Sequence, residues 1–551
     1  MIHPDPRAWL HALDAPSPAW RAALNACYGA HGMPEASRNM LRAAIEKFYA
    51  RFGDTALRVI RAPGRINLRG MHVDTHGGYL NLMSHQREVL IAFAPDSPQA
   101  STLINLDPAH PDITLNTAEL AAAAQRTSWE AFLDTSAARN AIPPHGQWWH
   151  YLLGAALRAQ HAAAQPLFGL RACVAGNVPT GAALSSSAAL CVAAYGAYTA
   201  QNGITPSPAE WILAARDAEW FTGARTGTSD QAASVLCRPG EVCNIALLAE
   251  DFNLDTLRRV PLPKDARLLV INSCTRRSLS GAEQVAYSRN RFAYSIALHA
   301  FRSEWAALTG DSHAAAQRDR LARITTDTPE ARTLVYDVLA RVPTHVTLDT
   351  LRTRYDFPDL DAQYQRYFGN AAPEARPTEF DLLGPLLYGI SESERARRFA
   401  HWLDQGDLQA IARAMQAGHN GDRVQDNTGN PFDRRITPAQ LLAARDNNTP
   451  ITELSGDYGA SSPALDALVD TAQDAGALAA CLTGAGIAGC VIALCTDNSL
   501  DPVRHAILQR LRAPDYPALA RRTTPITEEE LSAAVVLNDP PMGAGEIPWP
   551  R

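Results

Sequence analysis

Gly176-Asn-Val-Pro-Thr-Gly-Ala-Ala-Leu-Ser-Ser-Ser-Ala-Ala189 is the stretch on which the reading of this chain turns. Leu170–Ala175 before it reads as an apolar strand, and Ser185 to Ala200 after it reads as a helix of small residues. A strand, a tight loop of small side chains and a helix N-terminus together form an anion site. The first N–H groups of the helix point outward and its dipole favours negative charge there. The hydroxyls of Ser185, Ser186 and Ser187 add donors or oxygen ligands for Mg²⁺. The competing reading is a helix that merely starts with good capping residues.

Three further segments frame this one. Arg61-Ala-Pro-Gly-Arg-Ile-Asn-Leu-Arg-Gly-Met-His-Val-Asp-Thr-His-Gly-Gly78 ends a strand begun at Leu57 and then sets His72, Asp74 and His76 at two-residue spacing. Such a loop offers donors and acceptors to a polyhydroxylated ligand; no cysteine or helical histidine pair supports a metal there. Gly227-Thr-Ser-Asp-Gln231 puts a carboxylate at the end of a turn, where it takes a hydroxyl proton or caps a helix. Leu482-Thr-Gly-Ala-Gly-Ile-Ala-Gly-Cys490 is a glycine-rich loop that feeds an apolar strand, and it either approaches a ligand or packs against another backbone.

Composition narrows the field. The chain has 551 residues, a formal charge of −7, 46% hydrophobic and 19% charged residues. That is a folded chain, not a disordered one, and not a nucleic-acid binder held by a basic surface. Lys47 and Lys264 are its only lysines, so no lysine-based G-x-x-x-x-G-K-[ST] loop exists. The nine cysteines are scattered, with no C-x-x-C pair, which suits a reducing cytosol. Met1 to Arg21 lacks a basic start followed by an apolar core, so no signal peptide is expected there, and the uncharged run Gly476–Thr496 reads as buried loop and strand, not a membrane span. Helices are expected at Ala36–Phe52, Pro208–Phe221, Glu283–Leu308, Ala314–Ala322, Pro329–Ala340, Glu392–Gln405, Leu408–Gly418, Ala464–Asp474 and Pro502–Leu511. Strands are expected at Glu88–Ala94, Arg267–Asn272 and Gly489–Cys495. Residues 1–35 read as an irregular extension, 420–460 as a long polar loop and Asn538–Arg551 as a surface tail.

In this order the four segments resemble the GHMP kinase superfamily, and the galactokinase type within it. Arg277-x-Leu279 after Val270–Ser273, and Asp457-Tyr458 before Ser462-Pro463-x-Leu465-Asp466, are also similar. The resemblance implies a two-domain α+β fold with the active site in the cleft between domains. The layout is an extension at 1–35, an N-terminal domain at 36–245 and a C-terminal domain at 246–551, with insertions near 296–380 and 420–455. It implies ATP-dependent phosphorylation of the anomeric hydroxyl of a sugar, with ATP and Mg²⁺ as cofactors, in the cytoplasm, without nucleic-acid or membrane partners. The oligomeric state is open.

Carried over by position, Asp230 is the catalytic base or orienting group, and Arg65 is its cationic partner, stabilising the transferring phosphoryl group. Met71, His72, Asp74, Gly78, Gly227 and Tyr287 fall at sugar-binding positions. Pro179, Gly181, Ala183, Leu184, Ser185, Ser186 and Ser187 would cradle the ATP phosphates, with Gly484 and Gly486 from the last loop. Ser187 and Glu219 would hold Mg²⁺; Glu219 takes its position only across a one-residue gap, without which Ala218 stands there.

Galactokinases carry Glu, which binds near the C6 hydroxyl, where this chain has Met71. A thioether does not replace those hydrogen bonds. The expected substrate is therefore altered at C6: a pentose, a 6-deoxy sugar, or a uronic acid met by Arg69, Arg87 or Arg225. The alternative places Met71 in the core, with His72 carrying recognition alone. Two other readings of the whole remain: a non-catalytic sugar and ATP sensor, or galactokinase proper. An isoprenoid or amino-acid alcohol as acceptor fits the His72-x-Asp74-x-x-Gly77-Gly78 run less well.

Overall fold

A computed structural model describes residues 3–550 apart from 143–146, 225, 248–251, 276–281 and 370; the side chains of 282–284, 286 and 287 lie outside the description too. Fourteen strands are described. They are β1 (Arg58–Arg69), β2 (Tyr79–Pro98), β3 (Ala100–Asn105), β4 (Ile113–Asn116), β5 (Phe168–Gly176), β6 (Glu241–Ala246), β7 (Arg258–Pro261) and β8 (Arg267–Asn272). Then come β9 (His345–Thr347), β10 (Glu379–Asp381), β11 (Ala479–Thr483), β12 (Cys490–Cys495), β13 (Val535–Leu537) and β14 (Gly545–Glu546).

The larger sheet runs β14-β1-β2-β5-β3-β4, with β6 and β7 continuing from the far end of β2. All its pairings are antiparallel except β3 with β5. Side chains alternate between its faces, as the pleat dictates. Val89, Ile91 and Phe93 of β2 pack under the helices Trp149–His161, Ser186–Gln201 and Pro208–Phe221. Leu90, Ala92 and Ala94 pack on the opposite face against Glu35–Phe52 and the N-terminal helices. The smaller sheet, β11-β12-β8-β13, is wholly antiparallel. Its core takes in Ile66 and Leu68 of β1, so one apolar cluster joins the two sheets.

The α+β class holds, and several local expectations need correction. β1 extends through Pro63-Gly64 to Arg69, because a register shift there absorbs the turn. The expected helix at Ala314–Ala322 is only Ser312–Ala316, followed by a 3₁₀ turn at Leu321–Arg323. The polar stretch 420–460 contains the helix Pro438–Asp446, started by a capping box between Thr437 and Gln440. The C-terminal segment is not a surface tail. β14 pairs with β1, Ile547 is buried, and Trp549 packs against Trp9 and Trp20 with ring centroids 5.0 and 5.3 Å apart. The N-terminal extension belongs to the same core: Trp9 and Trp20 are each 1% exposed. The run 476–496 is the hairpin β11–β12, and among the described residues no helix is long and apolar enough to cross a membrane.

A buried charge pins this arrangement. Arg61 of β1 donates to Glu88 of β2 and to the carbonyl oxygens of Met542 (2.6 Å) and Gly543 (3.2 Å). Tyr28 completes the group by donating its hydroxyl to Glu88 at 2.8 Å. Side-chain exposure is 1% for Arg61 and 0% for Glu88. Removing one partner of such a pair strands the other charge away from water. Glu88→Ala is therefore expected to lower stability by about 3–5 kcal/mol, read as a shift of the urea unfolding midpoint; a shift within error of wild type would contradict it.

Candidate active site

The Ser186–Gln201 helix begins without a side-chain cap. Its N-cap, Ser185, sits in the left-handed region at φ 63° and makes no capping hydrogen bond. The serine hydroxyls turn elsewhere: Ser185 donates to Asp230 Oδ2, and Ser187 donates to Glu219 Oε1 at 2.6 Å. The capping reading of these serines therefore fails, and the first-turn N–H groups are left for an anion.

Asp230 lies in the first turn of the helix Ser229–Leu236, where the dipole favours a carboxylate. Arg65 Nε donates to Asp230 Oδ1 at 2.8 Å, and its Nη2 stands 2.6 Å from the same oxygen. Arg65 Nη1 donates to the Ala183 carbonyl, and the Arg65 backbone N–H donates to the Leu184 carbonyl at 3.1 Å. Arg65 thus binds the loop at 183–184 and the carboxylate at 230 together.

Asp74 joins the group through Ser229, whose hydroxyl donates to Asp74 Oδ2 at 2.8 Å. Gly227 permits this approach, since a Cβ there would stand 2.0 Å from Asp74 Oδ2. Gly484 closes the other side: a Cβ would meet the Ala183 carbonyl at 2.9 Å and Arg65 Nη1 at 3.4 Å. Thr483 bridges the sheets by accepting from Asn67 N–H at 2.9 Å and donating to Asn67 O at 3.0 Å.

Glu219 is the residue beside Ser187. Ala218 is instead fully buried against Gly154, where a Cβ would stand 2.5 Å from its carbonyl. Gln231 donates to Glu219 Oε2 at 2.6 Å. Burial pushes the Glu219 carboxyl up to about 7, against the lowering by the Ser187 hydrogen bond. A buried carboxylate short of positive charge, paired with a hydroxyl at a phosphate loop, fits Mg²⁺, which takes few protein ligands and completes its shell with phosphate oxygens and water.

Other expected residues fall differently. Leu184 contributes its carbonyl, while its side chain is core. Pro179 and Gly181 shape the exposed part of the loop, where Ala182 N–H donates to the Pro179 carbonyl at 3.4 Å. Gly486 packs on a backbone, with a Cβ 2.0 Å from the Ala460 carbonyl. Gly78 permits a tight turn, since a Cβ would lie 2.6 Å from Val73 Cβ. Met71 is 1% exposed and sits in the apolar core, with Arg69 Nη2 3.9 Å from its sulfur. The expected sugar contact at Met71 is thus corrected to the alternative, in which its side chain belongs to the core. Arg69 is no anion receptor, because it donates to Glu392 and to carbonyls at Leu68, Ala414 and Met415. Arg87 donates to the Ala533 carbonyl. Tyr287 lies on the helix Ala282–Thr309, with its side chain outside the described residues, as are Arg225, Arg277 and Leu279. No cluster of three metal-ligating His, Cys, Asp or Glu side chains occurs among the described residues.

Three stretches of the chain match known family models. Residues 46–95 match the galactokinase galactose-binding signature, 150–238 the GHMP kinases N terminal domain and 434–513 the GHMP kinases C terminal model. The chain belongs to the GHMP kinases. Among curated GHMP kinases it is 26% identical to a galactokinase of Roseiflexus sp. (strain RS-1) and 27% to one of Streptomyces coelicolor, each over 84% of this chain and 90% of the relative. The fold matches that of Lactococcus lactis galactokinase complexed with galactose, with a TM-score of 0.59 and 19% identity over 91% of this chain and 97% of that one.

Sequence reasoning missed Ser229, Gln231 and Thr483 in this GHMP kinase site; each lies within or next to a quoted motif, and their hydroxyl or amide chemistry was the available signal. His76 is also no ligand, since its Nε2 bonds Ser295 Oγ at 3.0 Å and its Nδ1 bonds Thr75 Oγ1 at 3.0 Å. Burial, then Arg291 and Arg320, depress it to about 3 from 6.5. Between those pH values the unfolded chain binds a proton that the folded chain does not, so stability rises with pH there. His76→Gln is expected to remove about 1.4 kcal/mol per pH unit from that slope between pH 4 and 6, measured by urea unfolding across pH; an unchanged slope would count against it.

Proposed function

We propose that this kinase transfers the γ-phosphoryl group of ATP to the anomeric hydroxyl of a free sugar, giving a sugar 1-phosphate, and that the sugar differs from galactose at C6. The reading is carried by the Arg65–Asp230 ion pair at 2.6 Å, set beside an uncapped helix start and an Asp74 turn. Asp230 accepts or orients the sugar hydroxyl proton with the oxygen that Ser185 now occupies. Arg65 offers its guanidinium to the charge that develops on the transferring group. The N–H groups of Ser186, Ser187 and Ala188 bind phosphate oxygens. Ser187 and Glu219 are the residues to hold Mg²⁺, which supplies charge neutralisation for the phosphates. Asp74, steadied by Ser229, binds sugar hydroxyls.

The C6 assignment rests on what position 71 lacks. Met71 presents no oxygen, and the nearby Glu392 carboxylate is taken up by Gly70 N–H (2.7 Å), Met71 N–H (3.3 Å) and Arg395 (2.9 Å). A cytoplasmic location is supported by the nine free cysteines.

The test is ATP consumption with Mg²⁺ against galactose, arabinose, fucose, galacturonate, glucuronate, N-acetylhexosamines and heptoses, with phosphate at C1 verified in the product. One C6-altered sugar is expected to be turned over with galactose poorer, and Asp230→Ala is expected to lower kcat by about 10³-fold or more with ATP binding retained. Preference for galactose would remove the C6 assignment. ATP binding without turnover of any sugar would favour a sensor.

A further inference from the structure

Beyond the Asp74 turn, a group of buried side chains has polar atoms that the site above does not use. His72, two residues before Asp74, lies in the left-handed region at φ 63°. Its ring stacks on Tyr458 at 4.4 Å, and its Nε2 stands 3.5 Å from Asp422 Oδ1. Tyr388 donates its hydroxyl to Asp422 Oδ2 at 2.8 Å. Tyr294 stands beside Tyr458 with ring centroids 5.2 Å apart. It lies on the helix Ala282–Thr309. The side chains of His72 and Asp422 are 4% and 0% exposed, and Tyr294 is 1% exposed. Yet His72 Nε2 and the Tyr294 hydroxyl have no hydrogen-bond partner among the described residues. Unpartnered buried polar atoms are costly and call for an explanation, and a hydroxylated ligand supplies one.

The charge balance says which ligand. Glu392 is matched by Arg69 (3.4 Å) and Arg395 (2.9 Å). Arg395 is further held by the carbonyls of Thr452 and Leu454. Asp422 has no Arg or Lys in ion-pair reach among the described residues. Burial holds its carboxyl up at about 7 and His72 down at about 4, so His72 is neutral near pH 7. A sugar hydroxyl entering here donates to Asp422 and pairs with His72 Nε2 and Tyr294. A substrate carboxylate would meet Asp422, with no Arg or Lys in ion-pair reach of it among the described residues.

We infer that Asp422, Tyr388 and Tyr294 join His72 in a wall that reads the sugar hydroxyls remote from the transferred phosphoryl group, and that this wall admits a neutral sugar and refuses a uronic acid. The inference rests on the sugar 1-kinase reading and narrows its substrate to a pentose or a 6-deoxy sugar.

The experiment measures kcat and KM of the full chain for galactose, arabinose, fucose and galacturonate. Calorimetry measures binding of the same sugars to Asp230→Asn. Galacturonate is expected to be at least 100-fold poorer in kcat/KM than the best neutral sugar. Asp422→Asn and Tyr294→Phe are each expected to raise KM for that sugar about tenfold with kcat within threefold, and Asp422→Asn to narrow the galacturonate deficit. Melting curves establish that the variants fold; Tyr294→Phe deletes only a hydroxyl and serves if Asp422→Asn does not. Galacturonate as best substrate, or unchanged KM in folded variants, would overturn the wall. If no sugar is turned over, the kinase reading fails by itself, and calorimetry still decides the wall: neutral sugar bound above galacturonate sustains it, and the reverse order or no binding overturns it.

Discussion

Arg65 is the residue on which the rest of the site depends. Its guanidinium joins Asp230 and the Ala183 carbonyl, its backbone N–H joins Leu184, and Gly484 packs at its Nη1. Three segments, the farthest at Gly484, therefore converge on one residue of β1. A charge-assisted bond of this kind is about twice as strong as a neutral one and fixes geometry as well. With Arg65 side-chain exposure at 7%, removing Asp230 would strand a buried cation.

That convergence explains why small residues crowd the motifs. Asp74 reaches Ser229 only because Gly227 leaves room, and the last loop reaches Ala183 only because Gly484 has no side chain. Phosphoryl transfer asks chiefly for positioned charge, and positioning here is done by backbone against backbone. The helix starts at Ser186 and Ser229 contribute dipoles in fixed directions at no reorganisation cost.

The sequence showed these motifs because their chemistry is local. Loop, serine run and aspartate turn each lie within about a dozen residues, and a helix start or turn needs no distant partner to be recognised. The Glu219 ambiguity was a matter of one residue, and only packing decided it: Ala218 fills the face toward Gly154, which leaves Glu219 toward Ser187. Missed elements depended on distant partners. β14 is two residues long and exists because Arg61, far away in sequence, fixes the carbonyls just before it. The helix Pro438–Asp446 was legible in its Thr437-Pro-x-Gln440 capping box but was outweighed by the asparagines and prolines around it. Asp422 and Tyr388 could not have been found from spacing, because their significance lies in facing His72 from another part of the chain.

The sugar end and the phosphate end of the site are consequently built in different ways. At the phosphate end, residues 176–189 and 227–231 provide nearly every group, and β1 ties them together. The loop after β1 carries Met71, a side chain without oxygen, and the helix Leu383–Gln405 brings Glu392 to the N–H groups of Gly70 and Met71. That carboxylate holds the loop in shape, but two arginines and two N–H groups leave it little capacity for a ligand. On the proposed reading, substrate recognition falls to groups further along, His72 and the residues against it. On the proposed reading the phosphate end takes its groups from local sequence, whereas the sugar end draws on residues hundreds of positions apart, so a substitution at the sugar end need not disturb the transfer machinery.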